Sequence, residues 1–337
     1  MYEDFYGLSE LPFELTANPK YLFLSAAQRE ALSIVQYGLS SAKALTLLIG
    51  DAGTGKTTLI QAALESDRCH HVRCIYLNNP TLTAAEFVKL LAHKFGLSAK
   101  AADSKATLLT ELESLLREGH EAGLTNALVV DEAQSLSLEM LEEIRFLANI
   151  ETPSVKLLPV VLAGQPELAS RLEEQNLRQL KQRVTLRALL QPFGLDDTAA
   201  YIASRIVTAG GVPGGMFSLE AVTLIHELSG GIPRTISVLC DNALVTGMAL
   251  GRRRIDRATV LEVGRDLHLT GKKLTTLGEP LRQDHGPVSQ SAAPATPPVK
   301  TEEEREQPPD VATESSRREP RRSTVTAISP RVGRTIT

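Results

Sequence analysis

Short apolar runs alternate with longer segments in which apolar positions recur every three to four residues. The runs predict β-strands at residues 45–49, 74–77, 127–130 and 157–162. The periodic segments predict helices at residues 57–64, 83–95, 105–118 and 138–150. Continuous apolar strands separated by amphipathic helices are typical of a parallel sheet buried on both faces. The pattern therefore predicts an α/β core over residues 41–192, with helices on both faces of a parallel sheet.

After residue 193 the apolar runs stop and only helical periodicity continues. Four helices are predicted there, at residues 197–209, 219–228, 233–249 and 257–267. Helices without a sheet to cover must bury their apolar faces on one another. We therefore expect residues 193–270 to form a small all-helical lid domain.

The first 40 residues are unusually aromatic. Seven of the fourteen aromatic side chains of the chain lie before residue 38. Pro12 and Pro19 exclude one continuous helix, whereas Ser25 is placed to cap a helix over residues 26–39. We expect residues 1–40 to form an arm packed on the core, with contact to a ligand as the alternative role for part of it.

Composition changes sharply towards the C-terminus. Residues 271–337 contain no aromatic residue and nine of the eighteen prolines. A segment of this kind cannot bury enough apolar surface to offset its ordering entropy, so it predicts a disordered tail. Its acidic block at 302–306 and its arginines from Arg317 onward indicate a solvated tail, with docking or nucleic-acid contact as the alternative.

The overall composition excludes several classes of protein. Three cysteines are too few for a disulfide scaffold and fit a reducing compartment. No apolar stretch approaches the roughly 20 residues of a membrane-spanning helix, and the N-terminus lacks the pattern of a secretory signal. A net charge of −4 gives no overall sign of a nucleic-acid-binding protein. These features predict a cytoplasmic protein without a membrane-spanning segment.

The most specific pattern in the chain is Gly-Asp-Ala-Gly-Thr-Gly-Lys-Thr at residues 50–57. It follows a predicted strand and opens a predicted helix, as a phosphate-binding loop does. We expect Lys56 to reach the β- and γ-phosphates of ATP and the Thr57 hydroxyl to ligate Mg²⁺. The expected nucleotide contacts are Gly50, Asp51, Ala52, Gly53, Thr54, Gly55, Lys56, Thr57 and Thr58.

Two carboxylates follow the predicted strand at 127–130. A buried parallel strand ending in acids presents them at its C-terminal end, at the same edge of the sheet as the loop. We expect Asp131 to hold the Mg²⁺ shell and Glu132 to polarise the water that attacks the γ-phosphate. A helix N-cap is the alternative role for this pair.

Four further polar residues complete the candidate site. Gln165 follows the strand at 157–162 and is expected to hydrogen-bond the γ-phosphate or the attacking water, with loop capping as the alternative. Arg183 is favoured over Arg178 as the arginine that reaches the γ-phosphate of a neighbouring subunit. Arg234 lies in the first turn of a lid helix, where a cation is locally unfavourable, and so indicates an anionic partner such as a nucleotide phosphate.

Taken together, these motifs resemble those of the AAA+ ATPases, and more closely the general secretion pathway protein A (ExeA-type) family. The resemblance covers residues 1 to about 270. It is carried by the opening Met-Tyr-Glu-Asp-Phe-Tyr-Gly-Leu and by residues 131–134, 164–168, 177–180 and 231–234. It implies a P-loop core with a helical lid, and sensor roles for Gln165 and Arg234.

The resemblance also implies a cellular role. The implied protein is a homo-oligomeric ATPase that drives or regulates assembly of a secretion, pilus or exopolysaccharide system. Its partners would be proteins of that system, and it would lie peripherally at the inner membrane. Secretion-type members continue into a transmembrane helix, whereas the tail predicted here is disordered. Related short members serve in transposon target selection, so a DNA-binding accessory ATPase is the alternative. A second alternative is a scaffold protein that is gated by nucleotide binding and hydrolyses ATP at a negligible rate.

Overall fold

The computed structural model describes residues 1–15, 18–78, 82–212 and 214–269, and the predicted disordered tail lies outside them. The elements in chain order are α1 Tyr2–Tyr6, α2 Ala26–Ser40, β1 Leu45–Gly50, α3 Lys56–Leu64, β2 Val72–Leu77, α4 Ala84–Phe95, α5 Ala99–Asp103, α6 Lys105–Glu121, β3 Thr125–Val130, α7 Leu138–Leu147, β4 Val160–Gly164, α8 Pro166–Arg171, α9 Arg178–Lys181, β5 Val184–Leu190, α10 Leu195–Thr208, α11 Leu219–Ser229, α12 Pro233–Ala249 and α13 Arg257–Asp266.

The strands form one parallel sheet in the order β2-β3-β4-β1-β5. All six residues of β1 are buried, because this strand has a neighbour on each side and helices on both faces. The C-terminal ends of β1, β3 and β4 therefore lie side by side at one edge of the sheet. The predicted parallel α/β core is confirmed.

Helices cover both faces of the sheet. Alternate residues of a strand point to opposite faces, so Leu47 of β1 belongs to one apolar cluster and Leu48 to the other. Helices α4, α6 and α7 bury side chains in the first cluster, whereas α2 and α3 bury theirs in the second. These two clusters fix the loops that leave the C-terminal ends of the strands.

Strands β2 and β3 each begin two residues before the predicted ones and β1 ends one residue later, whereas two other strands differ from the sequence prediction more substantially. Strand β5 was not predicted, because as an edge strand it alternates buried or half-buried residues with exposed Thr185 and Arg187 instead of being apolar throughout. Strand β4 begins at Val160 rather than residue 157, because Pro159 has no N–H for the ladder. The Pro159 carbonyl still accepts the Leu128 N–H at 3.0 Å.

Helices α10 to α13 pack around a third apolar cluster, as the all-helical lid prediction requires. Residues of the N-terminal segment, Tyr2, Leu8 and Phe13, belong to that cluster, whereas α2 packs on the sheet. The segment that we expected as one arm thus contributes to two parts of the molecule. Within the residues that the structure describes, no helix combines the length and apolar character needed to cross a membrane.

Candidate nucleotide-binding site

The loop at residues 50–55 joins the central strand β1 to helix α3. Gly53 and Gly55 have φ angles of +81° and +96°, in the left-handed region that favours glycine. The Thr54 hydroxyl donates to the Asp51 carbonyl at 2.8 Å and closes the turn. The first N–H groups of α3 therefore face the loop, where the helix dipole favours an anion.

Lys56 is buried at the base of this loop. Its side chain is 5% exposed, and Nζ donates to the carbonyl oxygens of Gly50 at 2.8 Å and Asp51 at 3.1 Å. Both partners are neutral, so the positive charge of the ammonium is not balanced by them. A buried cation of this kind favours the binding of an anion in the loop.

Asp131 joins the loop to strand β3. Its side chain is 1% exposed, and Oδ2 accepts the Thr57 hydroxyl and the Tyr76 hydroxyl, each at 2.6 Å. Its Oδ1 accepts the Glu132 N–H at 2.9 Å. The structure therefore brings together Thr57 and Asp131, the two residues that the sequence indicated as Mg²⁺ ligands.

Tyr76 was missed by the sequence analysis. Burial raises the pKa of its hydroxyl above the ordinary value, and the hydrogen bond to Asp131 raises that pKa further. Tyr76 is the penultimate residue of β2 and pairs in register with Val129, two residues before Asp131. In the sequence, the available signal for this contact is therefore a tyrosine near the end of β2, the strand that neighbours β3.

Glu132 lies at the tip of β3 with a φ of +53°. Its Oε2 accepts the Gln134 side-chain amide at 2.5 Å and is 3.5 Å from Gln165 Nε2. Because β4 lies between β3 and β1, Gln165 stands between the carboxylates and the loop, where the sequence placed it. Gln134 was not singled out as a site residue.

The turn before α12 docks on the loop at residues 50–55. The Arg234 N–H donates to the Gly53 carbonyl at 3.2 Å. Gly231 has a φ of +75° and packs on Phe193, whose N–H donates to the Gly231 carbonyl at 2.8 Å. A Cβ added at Gly231 would lie 2.1 Å from the Phe193 carbonyl oxygen. The structure therefore holds Arg234 beside the loop through backbone contacts that leave no room for a side chain at Gly231.

Two adjoining clefts flank the loop. The larger, of about 1120 Å³, is lined by Lys56, Thr57, Glu132 and Arg234 among others. The smaller, of about 470 Å³, is lined by aromatic and aliphatic residues, including Leu22, Phe23, Leu24, Phe193 and Tyr201. The larger cleft is thus polar and carries both cationic and acidic side chains, whereas the smaller is largely apolar. Together they suit a ligand with a charged end and a flat apolar end.

The N-terminal segment supplies part of both clefts. Arg205 of α10 is buried and donates to the carbonyls of Pro12 and Glu14, the latter at 3.0 Å. Its guanidinium lies 4.8 Å from the centre of the Tyr21 ring, which lines both clefts. Sequence analysis missed Arg205, although it lies three and four residues after Ile202 and Tyr201 on the buried face of α10, and this periodicity was the available signal.

Arg183 lies far from the loop of its own chain. Arg183 directly precedes β5, whose first residue pairs with Leu45, the first residue of β1. The loop follows the last of the six residues of β1, so the sheet separates the two by about 17 Å. Arg178 begins α9, and both arginines are exposed.

Comparisons with known proteins agree with this geometry. A family model described as "AAA domain" matches residues 39–172. General secretion pathway protein A of Aeromonas hydrophila is 40% identical over 255 residues, which is 76% of this chain and 46% of that protein. Residues 39–172 therefore resemble an AAA domain, and the chain is similar to general secretion pathway protein A over most of its length. It spans less than half the length of that relative.

Solved structures resemble this chain in fold. Cdc6p from Pyrobaculum aerophilum superposes with a TM-score of 0.58 at 16% identity, covering 80% of this chain and 74% of that one. The ORC2 protein of Aeropyrum pernix gives a TM-score of 0.56 at 16% identity, covering 77% and 72%. At these identities the likeness concerns the fold alone, which is the P-loop AAA+ fold expected from the sequence.

Proposed function

We propose that this chain binds ATP with Mg²⁺ at residues 50–57 and hydrolyses it. The hydrogen bond of 2.6 Å between Thr57 and Asp131 carries the proposal, because it joins the phosphate-binding loop to the carboxylates of β3. Glu132 adjoins that pair and lines the same cleft as Lys56. The match to the AAA domain family supports the assignment.

The donor groups suit Mg²⁺ and a triphosphate. The Thr57 hydroxyl and the Asp131 carboxylate are hard oxygen ligands, as Mg²⁺ prefers. Among the described residues, no group of three or more His, Cys, Asp and Glu side chains is placed to hold a metal ion. That observation fits an ion that takes its other ligands from phosphates and water. When bound, Mg²⁺ would neutralise charge on the β- and γ-phosphates.

The roles proposed for the other residues of the site follow from where each side chain lies in the two clefts. Lys56 is proposed to move from the carbonyls of Gly50 and Asp51 to phosphate oxygens, which are stronger acceptors. Glu132 is proposed to orient the attacking water and accept its proton, with Gln165 beside it. The adenine ring is assigned to the smaller cleft, where aromatic rings offer a flat apolar surface. Arg234 is assigned to the phosphates from the lid side.

We also propose that the active form is a homo-oligomer. Arg183 is exposed at the edge of the sheet opposite the loop, so it is placed to serve a neighbouring copy rather than its own site. A positive charge from a neighbour would stabilise the charge that develops on the γ-phosphoryl oxygens. Arg178 is the second candidate for this role.

The cellular role is proposed from the relationship to general secretion pathway protein A. The chain would drive or regulate assembly of a cell-envelope system, such as secretion, pilus or exopolysaccharide machinery. It would act in the cytoplasm, peripherally at the inner membrane, through protein partners in that system. The proposed division is an arm at 1–40, a core at 41–192, a lid at 193–270 and a tail at 271–337.

Two experiments test this proposal. Phosphate release from ATP is measured with Mg²⁺, with EDTA, and with added DNA; we expect Mg²⁺-dependent turnover that DNA leaves unchanged. A gene carrying Glu132→Gln then replaces the wild-type gene in its native host, and assembly of envelope complexes is followed. Stimulation by DNA together with normal envelope assembly would favour a DNA-binding accessory ATPase instead.

A further inference from the structure

The turn after β3 contains a glutamine whose side chain is bonded at both ends. Gln134 Nε2 donates to Glu132 Oε2 at 2.5 Å, and Gln134 Oε1 accepts the Gln165 N–H at 3.1 Å. One orientation of the amide satisfies both bonds. The flipped amide would set oxygen against a carboxylate and NH₂ against an N–H. The Gln134 side chain therefore joins the turn after β3 to the first residue after β4.

The backbone of this turn is held from α8. Arg171 Nη1 donates to the carbonyls of Gln134 at 2.7 Å and Leu136 at 2.8 Å. Gly164 leaves room for the amide, because an added Cβ there would lie 2.9 Å from Gln134 Oε1. Glu132 itself has the left-handed backbone that persists only where surrounding contacts hold it. Tertiary contacts, rather than local preference, thus set the place of the Glu132 carboxylate.

We propose that Gln134 is a positioning residue for Glu132, an inference that rests on the proposed function. Its amide holds the Glu132 carboxylate at the cleft that Lys56 and Arg234 also line, while Gln134 lies behind Glu132 and outside that lining. Gln134 acts on hydrolysis through Glu132. It contributes to the chemical step and not to the binding of ATP.

Gln134→Glu tests this role most selectively. The variant keeps the length of the side chain and the acceptor for the Gln165 N–H, but it replaces the donor to Glu132 by a second carboxylate. We expect kcat to fall about 10- to 100-fold, as for the loss of a hydrogen bond to a charged group. The KM for ATP and the unfolding temperature stay close to those of the wild type. Gln36→Glu, on the partly exposed face of α2, is the matched charge control and keeps wild-type kcat.

Two further variants secure the test. Gln134→Met removes both hydrogen bonds without adding charge, and we expect it also to lower kcat. In the exchanged pair, Glu132→Gln with Gln134→Glu, the amide–carboxylate bond is kept but the carboxylate moves two residues along the chain. Because Gln134 acts through Glu132, the exchanged pair has the residual turnover of Glu132→Gln alone. Recovery of turnover in the exchanged pair, or a further loss, would overturn the proposal.

The outcomes separate this inference from the proposed function. Wild-type turnover in Glu132→Gln would contradict the proposed function itself. Loss of turnover in Glu132→Gln, with both Gln134 variants within about twofold of wild type in kcat, would contradict the positioning role alone. A rise in KM at unchanged kcat in Gln134→Glu would likewise overturn it, since that result assigns Gln134 to ATP binding.

Discussion

Lys56 places a buried positive charge at the loop, where a bound anion would balance it. Its ammonium is buried and bonded to two carbonyls of the same loop, with no acid among the partners described. Those bonds hold the side chain close to where phosphates would lie. The same loop keeps its shape through the Thr54 turn and the glycines, none of which depends on Lys56.

We therefore expect Lys56→Ala to remove most ATP binding and to leave the fold intact. The variant loses the loop side chain that we propose to pair with the β- and γ-phosphates, whereas burial of the sheet is unaffected. ATP affinity is measured by calorimetry and unfolding by thermal denaturation, with Lys100→Ala, an exposed lysine on α5, as the control. Near-wild-type affinity in a folded Lys56→Ala protein would exclude the loop as the phosphate site.

The turn before α12 connects the lid to the loop through backbone contacts. Gly231 leaves no space for a Cβ beside the Phe193 carbonyl, and its neighbour three residues on, Arg234, is bonded to Gly53. A change in this turn is therefore transmitted both to the loop, through the Gly53 carbonyl, and to the position of Arg234.

Gly231→Ala is expected to weaken ATP binding and lower the unfolding temperature. The new Cβ would stand 2.1 Å from a backbone oxygen, so the turn must shift and carry Arg234 with it. Gly230→Ala is the matched control, because Gly230 also has a positive φ but nothing within 4 Å of its added Cβ. Equal effects in the two variants would assign the loss to backbone strain rather than to displacement of the turn.

The N-terminal segment is part of the lid's apolar cluster. Phe13 is 1% exposed and packs edge-to-face on Phe217 at 6.2 Å between ring centres. The buried Arg205 guanidinium fixes the neighbouring carbonyls of Pro12 and Glu14. The segment thus stabilises the lid and reaches the clefts with Tyr21.

Phe13→Ala is expected to lower the free energy of unfolding by about 3–5 kcal/mol, the usual result of emptying a buried phenylalanine site. Leu11→Ala changes a side chain that is 37% exposed, and we expect a much smaller effect. Denaturant unfolding measures both. Similar stability in the two variants would show that the segment does not contribute to the lid core.

Elements with an unbroken apolar or periodic pattern were predictable from the sequence. Helix α12 has the predicted bounds, and the loop lies between β1 and α3 as its motif indicated. Strand β5 was not predictable, because its solvent-facing side chains dilute the apolar signal at the sheet edge. Gln134 and Tyr76 were missed because their contacts depend on which strands are neighbours, whereas Arg205 lies at a position that the apolar periodicity of α10 marks as buried.

Across the whole molecule, Arg183 lies at the end of the sheet opposite the loop of its own chain. We therefore expect ATP hydrolysis to depend on neighbouring copies of this chain. We expect Arg183→Ala to keep ATP binding and to lose turnover strongly, on the order of the 10³- to 10⁵-fold that arginines supplied in trans contribute in related systems. Mixing it with Lys56→Ala or Glu132→Gln subunits should partly restore turnover at interfaces where an intact loop meets an intact arginine. The ATPase rate of Arg178→Ala is measured in the same way, alone and in mixtures.

The readout is the ATPase rate against mixing ratio at fixed total protein. A strictly additive decline at every ratio would contradict a role in trans. A monomer with full activity in solution would contradict it as well.

The most direct test of the account compares binding and hydrolysis of ATP in Glu132→Gln. The variant keeps Lys56, Thr57 and Asp131, so ATP with Mg²⁺ should bind with near-wild-type affinity. Without the carboxylate beside the attacking water, turnover should fall by about 10²-fold or more. Tight binding with that loss is the predicted result. Hydrolysis at the wild-type rate would contradict the assignment of this site as an ATP-hydrolysing centre.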